Sequence, residues 1–520
     1  MVVNDGRVVA LGNLEQLLND FSPLHRLDFG DAFVFPGFFD PHCHFLDYGY
    51  LLQEANLYGA RSWEETVERL VAHKQRSSGN SHVGISQGAA GGSPRPWLVG
   101  RGWDQNLWQS REFPDRTLLD RVFPDTPVIA RRVDSHAAMV NGKALELAGI
   151  GPHTHIDGGV AVVRDGWLTG LLLDNAISLV AQAMPARSEE EKRAAVAEAQ
   201  KACFAAGLTS VSNAGTRAKD VRLIRAMQDE GTMGLRIYVM LEADEENFAL
   251  FAQEGQGPVA EGGLNIRAFK LYADGALGSR GAYLLEPYAD DPTTCGLQTL
   301  QKDDLRRVCM LAKAHGFQVN VHAIGDAAVR MVLDVYEEFL VPCNDLRWRI
   351  EHAQIVHPDD IPRFGRLGIV PSIQTTHATS DMKWVPQRLG AVRMSRAYPH
   401  RALLDQNGWL PNGSDFPIEP IEPTRGFHSA VTRKNDNGEP DGGFQSENCF
   451  SREEALKAMT LWAARANFEE IERGSLSVGK LADFTVLDTD LMSAPEEKLR
   501  RPTVLATALA GNLVYEAHYS

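Results

Sequence analysis

The sequence predicts an α/β protein built on a (β/α)8 barrel. A small β-domain drawn from both chain ends and a long insertion after the first barrel strand accompany it. Three observations predict this. Eight short apolar segments, each ending in polar residues, recur along the chain with helical stretches between many of them. Both ends carry strand-like runs punctuated by turns instead. The interval from Phe45 to Leu208 is far longer than one βα connection needs.

The chain opens on a hairpin signal, in which Asn4-Asp5-Gly6 turns into Val8-Val9-Ala10-Leu11, and Leu27 to Val34 is a further strand candidate before Pro36-Gly37. The eight barrel segments are Phe33–Phe45, Leu208–Asn213, Leu235–Leu241, Ile266–Tyr272, Phe317–Ile324, Trp348–Gln354, Ile369–Gln374 and Leu410–Phe416. Three intervening helices announce their ends. Ser188 to Ala206 starts on a Ser188/Glu191 capping box and stops at Gly207; Lys302 to His315 closes on Gly316; Pro358 to Leu367 ends at Gly368. Within the insertion, the Gly- and Ser-rich stretch from Gly79 to Pro96 reads as a loop. An ordered part with Trp97, Trp103, Trp108 and Pro127-Val128-Ile129-Ala130 follows it. At the far end, Leu481 to Leu487 and Thr503 to Ala510 are strand-compatible, and Gly511-Asn512 turns into Leu513-Val514-Tyr515. Because domain termini tend to lie close together, residues 1–35 and 475–520 are assigned to one composite β-domain. Residues 36–474 form the barrel, and the insertion covers about 60–200.

Composition narrows the class of function. The chain has 520 residues, 44% of them hydrophobic, which is enough to build cores and excludes a largely disordered chain. Its formal net charge is −16 with no cluster of Lys and Arg, which argues against a nucleic-acid surface. No secretory signal and no membrane-length apolar run stand out, so no membrane role is expected. The 6 cysteines are scattered without a C-x-x-C pair, so they are read as free thiols in a reducing, cytoplasmic setting.

The chemistry-bearing residues gather at the polar ends of the barrel segments. In PGFFDPHCHF, His42 and His44 share one face of a strand and Cys43 points away, so the two imidazoles can hold one metal ion. His322, His352 and Asp415 each stand at the end of a later strand, on the rim where barrel enzymes place their active sites. Lys270 lies inside an apolar strand, where an ammonium needs a partner or must lose its charge. Either a salt bridge or carboxylation to an anionic ligand answers that need. Asp40 either orients a ligand histidine or caps its strand. Arg280 binds substrate or braces its loop, and His136 and His377 are pocket candidates. Trp103 and Trp108 are read as insertion core, and His153 and His155 as a loop pair without a metal.

Taken in order, His42-x-His44, Lys270, His322, His352 and Asp415 resemble the amidohydrolase superfamily, and more closely its YtcJ-like branch, amidohydrolase family 3. The stretches FKLYADGALGSRGA, VHAIGDAA, RIEHAQ, GSDFPIEP and RGSLSVGKLADFTVLD carry the resemblance together with PGFFDPHCHF. It implies a distorted TIM barrel with a composite β-sandwich and a binuclear metal centre. His42 and His44 are expected on the first ion, His322 and His352 on the second, and carboxylated Lys270 between them. Asp415 would contact the first ion and act as general acid/base. The expected cofactors are two divalent ions, zinc first with Mn, Fe or Ni also suited to the donors, and carbon dioxide as the lysine carbamate.

The expected activity is hydrolysis of a C–N bond in an amide, formamide or cyclic amide of a small-molecule substrate. A metal-bridging hydroxide would be the nucleophile. Ester or lactone hydrolysis on the same site, and an inactive metal-stabilised scaffold, are the competing readings. A homodimer is the assembly that such enzymes suggest. Relatives carry an additional strand ahead of the segment matching Val8-Val9-Ala10-Leu11, a departure that leaves the ligand positions untouched.

Overall fold

A computed structural model describes residues 1–79, 97–133, 137–156, 159–253, 259–261 and 263–517. The chain divides into two compact units, one of Met1–Phe45 with Gln200–Ser520 and one of Leu46–Ala199.

The first unit holds the barrel. Its strands, in chain order, are Phe38–Cys43, Leu208–Thr216, Arg236–Glu242, Leu264–Tyr272, Gln318–Ala323, Arg349–His352 and Val370–Ser372. They are called the first to seventh below. Each pairs in parallel with its chain neighbour, and the first and seventh are the two edges. This is the α/β barrel the sequence predicts, with two corrections.

The segment expected as one strand over Phe33–Phe45 is cut at Gly37. Phe33–Pro36 belongs to a different sheet, Phe38–Cys43 to the barrel, and Phe45 already begins a helix, Phe45–Leu52. A Cβ at Gly37 would lie 2.4 Å from the Thr209 side chain, so only glycine lets the chain pass from one sheet to the other here.

The eighth expected strand, Leu410–Phe416, is not a regular strand. It makes one parallel bridge, Asn412 to Ile373, and then a few irregular bonds. Pro411 has no N–H to give to a ladder, and the Ser414 N–H goes to the Asp40 carboxylate instead of a carbonyl. Asp415 has φ 62°, outside the strand region. The segment still closes the barrel. Gly413 N–H donates to Ile373 O at 2.9 Å, Asp415 N–H to His42 O at 2.8 Å, and His44 N–H to Phe416 O at 2.8 Å.

Capping chemistry places the outer helices as expected. Ser188 and Glu191 exchange reciprocal bonds at the start of Glu189–Ala205, and Gly207 follows with φ 82°. Lys302–His315 stops at left-handed Gly316. The 358–367 helix begins as a 3-10 turn, Pro358–Asp360, and continues as Ile361–Leu367 to Gly368.

A four-stranded antiparallel sheet joins both ends of the chain. Its order is Asn512–Glu516, Val504–Leu509, Phe484–Leu487 and Phe33–Pro36. Phe484, Val486, Ala506 and Ala508 form its core, with the Phe29 ring edge-on to Phe484. The hairpin Val2–Asn4/Arg7–Ala10 attaches through a bridge from Arg7 to Leu481. Residues 27–32, expected to extend the strand, are coil. Arg236 on the third barrel strand makes a two-pronged ion pair with Asp483, at 2.8 and 2.9 Å, which couples this sheet to the barrel.

The barrel interior departs from the usual layers of branched apolar residues. A small cluster of Ala214, Tyr238, Met240 and Ala268 is joined by buried Gln318, Asn320, Arg349 and Glu351. Gln318 and Arg349 both donate to Ala466 O at the end of the helix Leu461–Ala466. Exposed carbonyls at a helix C-terminus suit a buried cation there.

The second unit carries a six-stranded mixed sheet over a core that includes Trp63, Trp103 and Trp108. The Trp103 and Trp108 rings stack with centroids 5.8 Å apart, in keeping with the core reading. The stretch 80–96, read as a loop, lies outside the described residues, as does His136. No described helix is long and apolar enough to cross a membrane.

Candidate metal centre

The ends of the barrel strands bring the predicted ligands together. His42 belongs to the first strand, Lys270 to the fourth, His322 to the fifth and His352 to the sixth, while Asp415 comes from the closing segment. His42, His352 and Asp415 each offer a donor atom within 4.8 Å of the others, and all three are buried. The Lys270 Nζ is 3.4 Å from His42 Nε2, and the His322 ring centroid is 4.5 Å from that of His352. His44, just past the first strand, sets its Nε2 3.2 Å from Asp415 Oδ1, and His42 Nε2 is 3.5 Å from the same oxygen. Cys43 faces away and donates its thiol hydrogen to Ser212 O. His352 and Asp415 both have positive φ, 71° and 62°, the kind of backbone strain that concentrates at functional sites.

Hydrogen bonds behind the imidazoles fix which nitrogen points inward. His42 Nδ1 lies 2.6 Å from Glu351 Oε2. Burial pushes the Glu351 carboxyl up, but His42 and the nearby Arg349 and Lys270 outweigh this and hold it down at about 2. Glu351 is therefore an acceptor, Nδ1 carries the hydrogen, and His42 presents a bare Nε2 to the centre. His352 Nδ1 is 2.8 Å from Gln374 Oε1, which leaves its Nε2 free in the same way. His322 Nε2 is buried, makes no hydrogen bond among the described residues and lies 3.4 Å from Asp274 Oδ1.

The electrostatics agree with this arrangement. Burial, reinforced by the Lys270 charge, lowers the pKa of His42 and brings that of His322 down to about 3. Burial and His322 push His352 well below its usual value. Neutral imidazoles are the metal-binding form. Burial would raise Asp415, but His377 and His44 hold it well below the usual carboxylate range. Burial lowers Lys270 to about 8, so its free amine is accessible near neutral pH. The compact part of this donor set, the free Nε2 of His42 and of His352 beside the anionic Asp415 carboxylate, fits a divalent cation.

The remaining candidates fall in different places. Asp40 does not touch an imidazole. Its carboxylate accepts from the main-chain N–H of His42 and Ser414 and from Ser414 Oγ, so it ties the first strand to the closing segment. Arg280 pairs with Asp290 at 2.9 Å within the 275–297 connection. His377, in the helix Thr375–Asp381, lies 3.3 Å from Asp415 Oδ2 and 3.4 Å from Glu419 Oε1. Burial would lower the His377 pKa, but hydrogen bonds to these two carboxylates outweigh it and hold it well above its usual value.

Several contributors escaped the sequence reading. Glu351 and Gln374 orient ligands. Asp274 accepts from the main chain of Tyr283, Ile324 and Gly325 and so braces the connections after the fourth and fifth strands. Glu351 had a signal: an acid inside the apolar RIEHAQ strand raises the same question that singled out Lys270.

Comparison with known proteins agrees with the site. A family model described as "Amidohydrolase family" matches residues 27–515. YtcJ of Bacillus subtilis (strain 168) is 32% identical over 99% of this chain and 95% of its own length. The N-substituted formamide deformylase of Arthrobacter pascens is 25% identical over 99% of this chain and 94% of its own. Among solved structures, an uncharacterized metal-dependent hydrolase from Pyrococcus horikoshii OT3 superimposes with a TM-score of 0.77 at 28% identity, covering 95% of this chain and 94% of that one.

Proposed function

Because this chain belongs to the amidohydrolase family, in its family 3 YtcJ-like branch, and is a metal-dependent amidohydrolase, we propose that it hydrolyses a non-peptide C–N bond in a small amide, formamide or cyclic amide. The observation that carries this reading is the convergence of His42, His352 and Asp415 around Lys270, with the outer nitrogens of both imidazoles already engaged. Similarity to a formamide deformylase along nearly the whole chain supports the bond type.

His42 and His44 would hold one divalent ion and His322 and His352 a second, with Lys270, as its carbamate, and Asp415 supplying anionic oxygens. Zinc is the proposed metal. Such an ion pair, when bound, acidifies water and polarises a carbonyl oxygen. The chain's own part is orientation and proton transfer. Glu351 and Gln374 hold His42 and His352 in the ligating tautomer. Burial of Lys270 favours the neutral amine, whose lone pair attacks carbon dioxide and which loses a proton to water to give the carbamate. Asp415, kept ionised by His377 and His44, takes a proton from the attacking water and hands it to the departing nitrogen.

The test is metal analysis joined to a panel of N-formyl and N-acyl compounds, with matched esters. Turnover of the amides above the esters by metal-loaded protein supports the reading; turnover of esters alone overturns the C–N assignment. Asp415→Asn is expected to lose about 10²–10⁴ in turnover while keeping most of its metal. Near-normal turnover removes Asp415 from its role.

A further inference from the structure

His377 differs from the imidazoles beside it. Its ring centroid is 6.0 Å from that of His352, close enough to join the ligand set. His42 and His352 each commit one nitrogen to an orienting partner and keep the other for the centre. His377 commits both, Nε2 toward Asp415 Oδ2 and Nδ1 toward Glu419 Oε1. Neither nitrogen is left for a metal ion or a substrate oxygen.

Glu419 is anchored in turn. Its side chain is 15% exposed, and its Oε1 also accepts from Ser380 Oγ, one helical turn beyond His377. The helix Thr375–Asp381 and the segment from Asp415 to Glu419 are therefore laced together at two points. The main chain of Asp415 is fixed independently, through its N–H to His42 O and its carbonyl to the Ile418 N–H. Only the carboxylate rotor remains to be set. With Oδ2 held by His377, Oδ1 is the oxygen that faces His42 and His44.

We propose that Glu419 and His377 form a positioning pair for Asp415, in which Glu419 fixes the imidazole and the imidazole fixes the carboxylate with one oxygen toward the metal ligands. This rests on the reading of Asp415 as the proton-transfer group. It moves His377 from the substrate-binding role expected from sequence to a positioning role, and it gives a part to Glu419, which stands in the GSDFPIEP stretch without an assigned role.

Three measurements on Glu419→Ala and Glu419→Gln test it. Outer partners of a metal site are commonly worth about 10–100-fold in activity. Glu419→Ala is expected to lower kcat by about that factor, with KM within about threefold and the bound metal per chain unchanged. Glu419→Gln keeps an acceptor for the imidazole N–H and is expected to recover most of the loss. An unchanged kcat, a loss confined to KM, or a parallel fall in bound metal overturns the proposal. If the wild-type protein turns over none of the C–N panel, the proposed activity fails, and a crystal structure of Glu419→Ala still judges the pair. More than one Asp415 rotamer supports it; a single unchanged rotamer overturns it.

Discussion

The mutual orientation of buried side chains carries the site. His42 is useful as a ligand because Glu351 takes its Nδ1 hydrogen, and Glu351 stays ionised in the barrel interior because His42, Arg349 and Lys270 surround it. Replacing Glu351 with Gln is therefore expected to weaken metal affinity by about 10–100-fold without unfolding the protein, as read by chelator competition and far-UV circular dichroism. Lys270 leads to a pH prediction. Its folded pKa of about 8 lies below the ordinary lysine value of 10.5, so the free amine grows as pH rises through about 8. Only the free amine adds carbon dioxide. Incorporation of ¹³C-bicarbonate as a carbamate, followed by NMR on metal-free protein, should climb between pH 7 and pH 9, and Lys270→Arg should abolish the signal.

At the scale of elements, seven apolar segments become barrel strands because each carries β-branched or aromatic residues ahead of a polar end. The eighth, with Pro411, Gly413 and a left-handed Asp415, becomes a closing strap. Its apolar content was legible in the sequence, but its backbone path depends on where Asp40 sends its carboxylate, a contact 374 residues away in the chain. The same limit explains why Asp40 stood between two readings, an orienting acid and a strand cap. Residue type allowed both, and only the fold reveals that it serves main-chain N–H groups, as a cap does, while Glu351 serves the imidazole. Helix ends were legible throughout, because Ser188, Gly316 and Gly368 act on their immediate neighbours. Gly413 tests the strap. A Cβ there would sit 2.8 Å from Asp40 Oδ1 and 3.0 Å from His42 N. Gly413→Ala should cost about 1–3 kcal/mol in stability, seen as a lower thermal midpoint, and should lower metal affinity because it displaces the strand end that carries His42.

For the whole molecule, the first unit is assembled from chain segments far apart in sequence. Arg236 and Asp483 form a largely buried pair, with side chains 15% and 4% exposed, and Asp483 also accepts the Ala510 N–H. Asp483→Ala strands the guanidinium and that amide, and a loss of about 3 kcal/mol is expected, measurable as an earlier urea midpoint. Gly37 makes the ligand-bearing first strand a direct continuation of the terminal sheet. The closing segment meets the first strand through two main-chain hydrogen bonds, Asp415 to His42 and His44 to Phe416, where other strands have a ladder. The seam thus runs between the H-x-H pair and the carboxylate. Opening of this seam is expected to part the proposed ligands, so deuterium uptake at the Asp415 amide serves as a clock for both. A cation gripping the two sides slows that clock in proportion to its occupancy.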